Sequence, residues 1–366
     1  MKIATLALQA NNGWPELGTD ALAPGLNIFH GPSASGKTTV ADLVTHALYG
    51  RRLVSEASAE NAVAPQGEVI VENRGRQFRL RRSHDDAAGE RLTVAALDHS
   101  AVDQDTVGQL VACLSPSLLQ PLFAVSFRES PRLDWLLSPE FSREFRAALW
   151  RLKWAPPTVQ AELRPIYARL RALETKVATL VRGLGSEASR AAATLKARAR
   201  TRNRRASYFL AQLTGGELLR LRLGDTSGVA QVVTRAGESL AVDTLWSTQR
   251  DQVYLSLCLA LVSALGRRGA GLPLVLDEPF IRLDARSSAA LVEVLSAFSA
   301  RGHQVLVFTA EHEATERCAA HGAKVLEMPS LRGQRIVETQ PEAAEVATRR
   351  IRRREKSTRM KHREAG

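Results

Sequence analysis

The chain has 366 residues, of which 45% are hydrophobic and 24% charged, with a net charge of +12 at pH 7. That composition belongs to a globular protein with a sizeable core and argues against a disordered or fibrous chain. The longest apolar run, Val253 to Leu265, is broken by Ser256 and is shorter than the roughly 20 residues a membrane span needs. The cysteines, Cys113, Cys258 and Cys318, are scattered and form no C-x-x-C pair, which argues for a reducing cytoplasm and against a disulfide framework or zinc cluster.

In chain order, Met1–Ala10 reads as a first β-strand rather than a leader, because its apolar stretch is short and lacks a small-residue cleavage signal. Gly25–His30 is a short apolar strand that runs directly into Gly31–Thr38, and Lys37–Tyr49 reads as a helix closed by Gly50. Val69–Val71, Gln77–Leu80 and Leu92–Val94, punctuated by Gly75 and Gly89, predict further strands, as does Leu122–Val125. Ser138 and Pro139 predict a helix start, with Ser at the N-cap and Pro at the first helical position.

Beyond the break at Pro156-Pro157, the residues Ile166, Leu170, Leu173, Val177, Leu180 and Leu184 recur at alternating spacings of 4 and 3. After the turn Gly183–Ser186 the alternation resumes with Ala188, Ala192, Leu195, Ala199, Arg202, Ala206, Phe209 and Leu213. This heptad seam predicts an antiparallel helical hairpin over 158–213, with arms of about 30–40 Å; an ordinary packed helix pair satisfies the same spacing. After Gly215-Gly216 strands return at Leu218–Leu223, Val229–Val233 and Leu240–Val242. A long helix follows at Gln249–Leu265, then strand Leu274–Asp277, helix Ser287–Ala300 and strand Gln304–Thr309, a β–α–β rhythm that predicts a parallel sheet. The expected organisation is an N-lobe (1–140), a helical region with the hairpin (141–213), a C-lobe (214–340) and a basic tail (341–366).

Two motifs carry chemistry. Gly31-Pro32-Ser33-Ala34-Ser35-Gly36-Lys37-Thr38 fits G-x-x-x-x-G-K-[ST] in the strand–loop–helix context the pattern requires. Backbone N–H groups of such a loop and the following helix N-terminus surround a phosphate, the Lys37 ammonium places charge on the β/γ-phosphates, and the Thr38 hydroxyl is suited to Mg²⁺. Leu274–Pro279 is an apolar strand ending in Asp277 and Glu278, where Asp277 is suited to hold Mg²⁺ and Glu278 to polarise an attacking water. Lys37 and Asp277 are 240 positions apart (277 − 37), so the site is assembled from two chain ends with an insertion between them.

Together, Gly31–Thr39, Thr248–Ala260, Val275–Phe280, Leu283–Arg286 and Val307–Thr309 resemble the ABC-type ATPase heads of the SMC, RecF and SbcC class. The likeness is greatest to the bacterial YhaN-like branch, in which Tyr208–Gly216 is similar to the chain leaving the coiled coil and Gln252–Ala260 to the helix after the signature. It covers most of residues 1–335, loosely in 51–150. The implied fold is an α/β P-loop NTPase head built from N- and C-terminal lobes with a short antiparallel helical hairpin inserted. ATP with Mg²⁺ would be held by Gly31 to Thr39 and Asp277, with Glu278 catalytic. The resemblance also implies ATP-dependent head homodimerisation, in which one subunit's P-loop meets the other's signature, and work on DNA in repair or chromosome maintenance beside a metallophosphoesterase nuclease.

The chain departs from that pattern in several places. Aligned on Gln252, the signature Ser is replaced by Trp246 and the signature Gly by Thr248, whose Cβ obstructs a close backbone approach. A one-residue slip brings Ser247 into the role instead, and Thr248 with Asp251 reads equally as a helix capping box. Asp284 matches the D-loop; at the switch, Glu311 takes the His position and His312 follows it. For the Q-loop, Gln120 and Glu129 lie near the expected region. The hairpin carries no Cys, so it offers no zinc hook.

The basic charge is local. Lys196, Arg198, Arg200, Arg202, Arg204 and Arg205 give +6 over 196–205, and 349–364 gives +7, so the rest of the chain sums to −1 (12 − 6 − 7). The first run, at the root of the returning arm, suits DNA phosphates without sequence readout; a solvated helix face explains it equally. The tail lacks interleaved aromatics for base stacking. The alternative to a turning-over ATPase is a non-hydrolysing nucleotide-binding regulatory or scaffold module with a nucleic-acid-binding tail.

Overall fold

The computed structural model describes residues 1–8, 17–19, 21–50, 67–85, 89–102, 116–154, 204–223, 230–267 and 271–328. Residues 1–329 make up one compact unit; 330–366 make up a second that lies wholly outside the described residues. The hairpin seam over 158–203, the basic tail, Cys113, Lys196, Arg198, Arg200 and Arg202 also lie outside them.

The elements of the first part are β1 (Lys2–Leu8), β2 (Leu17–Gly18), β3 (Leu26–His30), α1 (Lys37–Tyr49), β4 (Gly67–Asn73), β5 (Arg76–Asp85) and β6 (Gly89–Ala96). They continue with α2 (Pro116–Phe123), β7 (Ala124–Ser126), α3 (Leu133–Leu137), α4 (Pro139–Trp154) and helical residues 204–213, α5. The last part holds β8 (Leu218–Arg222), β9 (Gln231–Thr234), β10 (Ser239–Ala241), α6 (Ser247–Gly266), β11 (Leu274–Asp277), α7 (Ala285–Ala300), β12 (Val305–Thr309), α8 (His312–Ala320) and β13 (Lys324–Glu327).

The strands form a five-stranded sheet β2-β1-β4-β5-β6, a three-stranded sheet β10-β9-β8, and a five-stranded sheet β13-β3-β12-β11-β7. In the first two every pairing is antiparallel; in the third every pairing is parallel. Burial follows that division. β11 and β12 are buried at every residue, as a parallel sheet covered on both faces requires, whereas β4 alternates over most of its length. Phe29 of β3 stacks on Phe308 of β12 with ring centroids 4.5 Å apart, which seals the centre of the parallel sheet.

Buried polar side chains fasten the chain ends together. Gln304, just before β12, accepts from the Ile3 N–H at 2.6 Å and donates to the Ile3 carbonyl at 2.8 Å and the Ala23 carbonyl at 3.0 Å. The Tyr49 hydroxyl closes α1 onto the Pro273 carbonyl at 2.6 Å, and Tyr254 closes α6 onto the Pro121 carbonyl at 2.7 Å. These bonds satisfy backbone N–H and carbonyl groups that would otherwise be left unpaired.

Two expectations are corrected. Leu122 and Phe123 belong to the end of α2, and the strand is only Ala124–Ser126; a short apolar run does not distinguish a buried strand from a buried helix turn. The capping box of Thr248 and Asp251 does not form: α6 begins at Ser247, and Gln249 Oε1 accepts from the Trp246 N–H at 3.3 Å. The helix start at Ser138 is as expected, its Oγ accepting from the Phe141 N–H at 3.0 Å. α4 runs straight through the boundary drawn at 140/141.

Candidate nucleotide-binding site

The parallel sheet brings the two motifs to one edge. β3 and β11 are separated by β12 alone, so their carboxyl ends lie about 10 Å apart. The loop after β3 and the turn after β11 both open at that edge, where α/β sheets hold ligands.

The loop is shaped by close approach. A Cβ on Gly31 would sit 2.7 Å from Ser35 Oγ and 2.8 Å from the Met328 Cβ, so only glycine fits between the loop and the chain beyond β13. Gly36 takes φ +86° as it enters α1, and Ala34 takes φ +64°, a left-handed conformation that costs a non-glycine residue about 1–2 kcal/mol. Pro32, Ser33 and Ala34 are exposed, while Ser35, Gly36 and Lys37 are buried. Thr38 and Thr39 are half-buried in the first turn of α1. Lys37 Nζ donates to the carbonyls of Gly31 at 2.7 Å and Pro32 at 2.9 Å, which ties the ammonium across the loop.

Asp277 is fully buried at the tip of β11. Its Oδ2 accepts from Ser126 Oγ at 3.0 Å and from Arg128 Nε at 3.0 Å. Burial pushes its carboxyl above the usual range, and Arg128 and Ser126 offset part of that. Glu278 follows at φ +51°, and its N–H donates to the Phe308 carbonyl at 2.7 Å. Its Oε1 lies 3.5 Å from both Lys37 Nζ and Arg128 Nη2, and its Oε2 accepts from the Ala310 N–H at 3.1 Å. The strained backbone at Ala34 and Glu278 falls on the two turns that face each other.

Among the described residues, three side-chain oxygens are buried with no hydrogen-bond partner: Ser296 Oγ on α7, and Ser35 Oγ and Asp277 Oδ1 at this edge. An unpaired buried polar atom costs about 1–3 kcal/mol, so the edge retains bonding capacity that the protein does not use on itself. That capacity fits an Mg–nucleotide: a hard cation takes carboxylate and hydroxyl oxygen, and loop N–H groups with a lysine take phosphate.

Of the remaining candidates, some are exposed and others are engaged within the fold. Trp246 is 80% exposed and Ser247 is exposed at the start of α6. The Thr248 hydroxyl donates to the Arg282 carbonyl at 3.2 Å, and the buried Gln252 amide donates to the Leu213 carbonyl at 3.0 Å. Asp284 caps α7, accepting from the Ser287 N–H at 2.7 Å. The Glu311 N–H donates to Thr309 Oγ1 at 3.1 Å. His312 pairs with Glu316 at 3.2 Å and lies 5.6 Å, ring to ring, from His30, whose own partner is Glu327 at 2.9 Å. In this segment it is the Ala310 backbone N–H that bonds to Glu278. Arg204 is exposed and Arg205 half-buried on α5.

Sequence reading missed Ser126 and Arg128, which reach Asp277 because β7 pairs with β11, and Arg282, which meets the buried Asp251 through Nη2 at 2.5 Å and Nε at 2.8 Å. None of the three has a spacing signal. Glu129, weighed for the Q-loop, is exposed beside Arg128.

Among solved structures, the chain is similar to the Smc head domain of Pyrococcus furiosus, with an extended coiled coil, bound to the C-terminal domain of ScpA. That match has 15% identity, a TM-score of 0.50, and covers 90% of this chain and 94% of that one. An SmcHead bound to the C-winged helix domain of ScpA matches at 13% identity, TM-score 0.51, covering 89% and 94%. The fold is that of an SMC head domain. No protein-family model matches the sequence, and no curated protein does. Within this SMC-head fold the parallel sheet carries the P-loop edge, and among the described residues no helix is long and apolar enough to cross a membrane.

Proposed function

We propose that this chain is an SMC-like ATPase of the YhaN-like branch. It binds ATP–Mg²⁺ through Gly31 to Thr39, Lys37, Thr38 and Asp277 and hydrolyses it slowly with Glu278. The observation that carries this is the convergence of Lys37 and Glu278 at 3.5 Å from chain ends brought together by the parallel sheet. In this reading Mg²⁺ supplies charge neutralisation of the phosphates when bound. The chain's own groups do the rest. The loop N–H groups and Lys37 orient the phosphates, and Glu278, held by the Ala310 N–H, takes a proton from water on its carboxylate. ATP drives a homodimer, and the basic run of 196–205 engages DNA without sequence preference. A metallophosphoesterase nuclease, or a winged-helix protein as in the ScpA-bound heads, is the kind of protein partner this reading expects.

Glu278→Gln tests the assignment: ATPase activity should fall about 10²- to 10⁴-fold while ATP affinity is kept. Equal rates in the two proteins would remove Glu278 from the mechanism.

A second reading is favoured by a separate observation. Thr248 presents a Cβ where the resemblance expects Gly, and its hydroxyl is committed to Arg282. On that basis ATP is a stabilising ligand that is not turned over. Sizing the Glu278→Gln protein with and without ATP separates the two: an ATP-dependent dimer supports turnover in trans, and a monomer under both conditions supports the ligand reading.

A further inference from the structure

The carboxylates at the end of β11 already have a cation of their own. Arg128 bridges both of them, with Nε 3.0 Å from Asp277 Oδ2 and Nη2 3.5 Å from Glu278 Oε1. Its backbone is anchored by Ser126, whose hydroxyl donates to the same Asp277 oxygen at 3.0 Å and accepts from the Arg128 backbone N–H at 3.4 Å. A guanidinium suits this position, because its planar fork reaches two carboxylates that a point-charge ammonium would meet one at a time.

The second cation, Lys37, differs in its freedom. Its side chain is 2% exposed and bound to two loop carbonyls, so it stays where it is. The Arg128 side chain is 46% exposed and belongs to the segment leaving β7, an edge strand of the parallel sheet. It can turn into solvent without breaking the core. The guanidinium also leaves the chemistry incomplete, since Asp277 Oδ1 is buried and unpartnered even with Arg128 in place.

We propose that Arg128 is a built-in competitor for the divalent cation, and that metal loading at Asp277 requires its guanidinium to swing out, which also frees Glu278. Arg128 then sets the metal concentration at which the site fills and keeps two adjacent buried carboxylates neutralised until it does. It is a positioning residue, acting on the carboxylates and not on the nucleotide. The proposal rests on the reading of this edge as a metal–nucleotide site.

The test uses the full chain and Mn²⁺ alone, titrated with free Mn²⁺ followed by electron paramagnetic resonance. Arg128→Gln should bind Mn²⁺ roughly tenfold more tightly than the unaltered protein, a value reduced by solvent screening of a half-exposed charge. Arg128→Lys should fall between the two, and carries the test if Arg128→Gln does not fold. Arg143→Gln, which removes an exposed arginine paired with Glu140, should change nothing. Unfolding curves should show Arg128→Gln less stable without metal and restored by Mn²⁺. Unchanged or weaker Mn²⁺ binding in Arg128→Gln and Arg128→Lys, with Asp277→Asn still abolishing it, would overturn the competitor role alone. Mn²⁺ binding that survives Asp277→Asn would instead overturn the metal-site reading beneath it.

Discussion

The P-loop edge of the parallel sheet and the start of α6 use their polar groups in opposite ways. At the edge, Lys37, Arg128, Asp277 and Glu278 converge, yet Ser35 Oγ and Asp277 Oδ1 remain buried and unpaired. At the start of α6, Thr248, Asp251 and Gln252 are each bonded to another part of the same chain: Arg282 for the first two and Leu213 for the third. The first arrangement tolerates a standing energetic penalty, which a ligand can relieve. The second carries no such penalty and behaves as a joint, holding α5 and the loop before α7 against the helix. A family motif position therefore does not by itself distinguish a contact surface from a structural tie; the bonding state of its side chains does.

That contrast can be broken at either end. The largest effect should come from Lys37→Ala, which removes the ammonium that spans the loop; ATP binding by calorimetry should weaken by about 10²-fold or more, as for other charge clamps on phosphate. Retained affinity would mean that the edge is not the nucleotide site. Gly31→Ala should lower stability by about 1–3 kcal/mol, because the new Cβ must displace Ser35 or Met328; the melting temperature reports it. Thr248→Gly should lower stability by only about 0.5–1 kcal/mol as a helix glycine, and on the Glu278→Gln background it should strengthen any ATP-dependent dimer seen by sizing. A dimer that is indifferent to the change would mean that α6 is a joint and nothing more.

The smallest effect concerns the far end of α6. A Cβ on Gly266 would lie 2.7 Å from His303 Cε1, and His303 stacks on Phe298 at 4.2 Å, so the helix rests on this ring just before β12. Burial, with Arg301 and Lys2 nearby, holds the His303 pKa below its ordinary 6.5. A depressed folded-state value means the unfolded chain binds the proton more readily. Its stabilising contribution is therefore present above pH 6.5 and lost as pH falls through the lowered value. Melting temperatures taken from neutral to mildly acidic pH should decline more steeply for the unaltered protein than for His303→Gln.

Much of the edge that carries Lys37, Asp277 and Glu278 was legible in the sequence because its signals are local. The glycines of the loop, the helix closed by Gly50 and the apolar run into Asp277 each satisfy a short-range rule, and each element stands where those rules put it. The limits are equally specific. Leu122 and Phe123 read as strand because four buried apolar residues suit either element, and the choice was made by packing: the Pro121 carbonyl in α2 receives both Tyr254 and Cys258 of α6. The Thr248 and Asp251 pattern matched a cap, yet Arg282, about thirty positions away, claims both side chains. Arg128 offered no pattern at all, since its partner depends on β7 pairing with β11 across an insertion.

By itself, then, the sequence determined the glycine-bearing loop between β3 and α1, the acidic strand end and the parallel β–α–β order, all of which follow from steric and hydrophobic rules over a few neighbouring residues. Only the tertiary structure decided that β12 separates the two motif strands, that Arg128 sits on Asp277 and Glu278, and that Thr248 and Gln252 are held inside the chain. Those outcomes are charge and hydrogen-bond pairings between distant segments. They are fixed by which strands share an edge, and no local spacing encodes that.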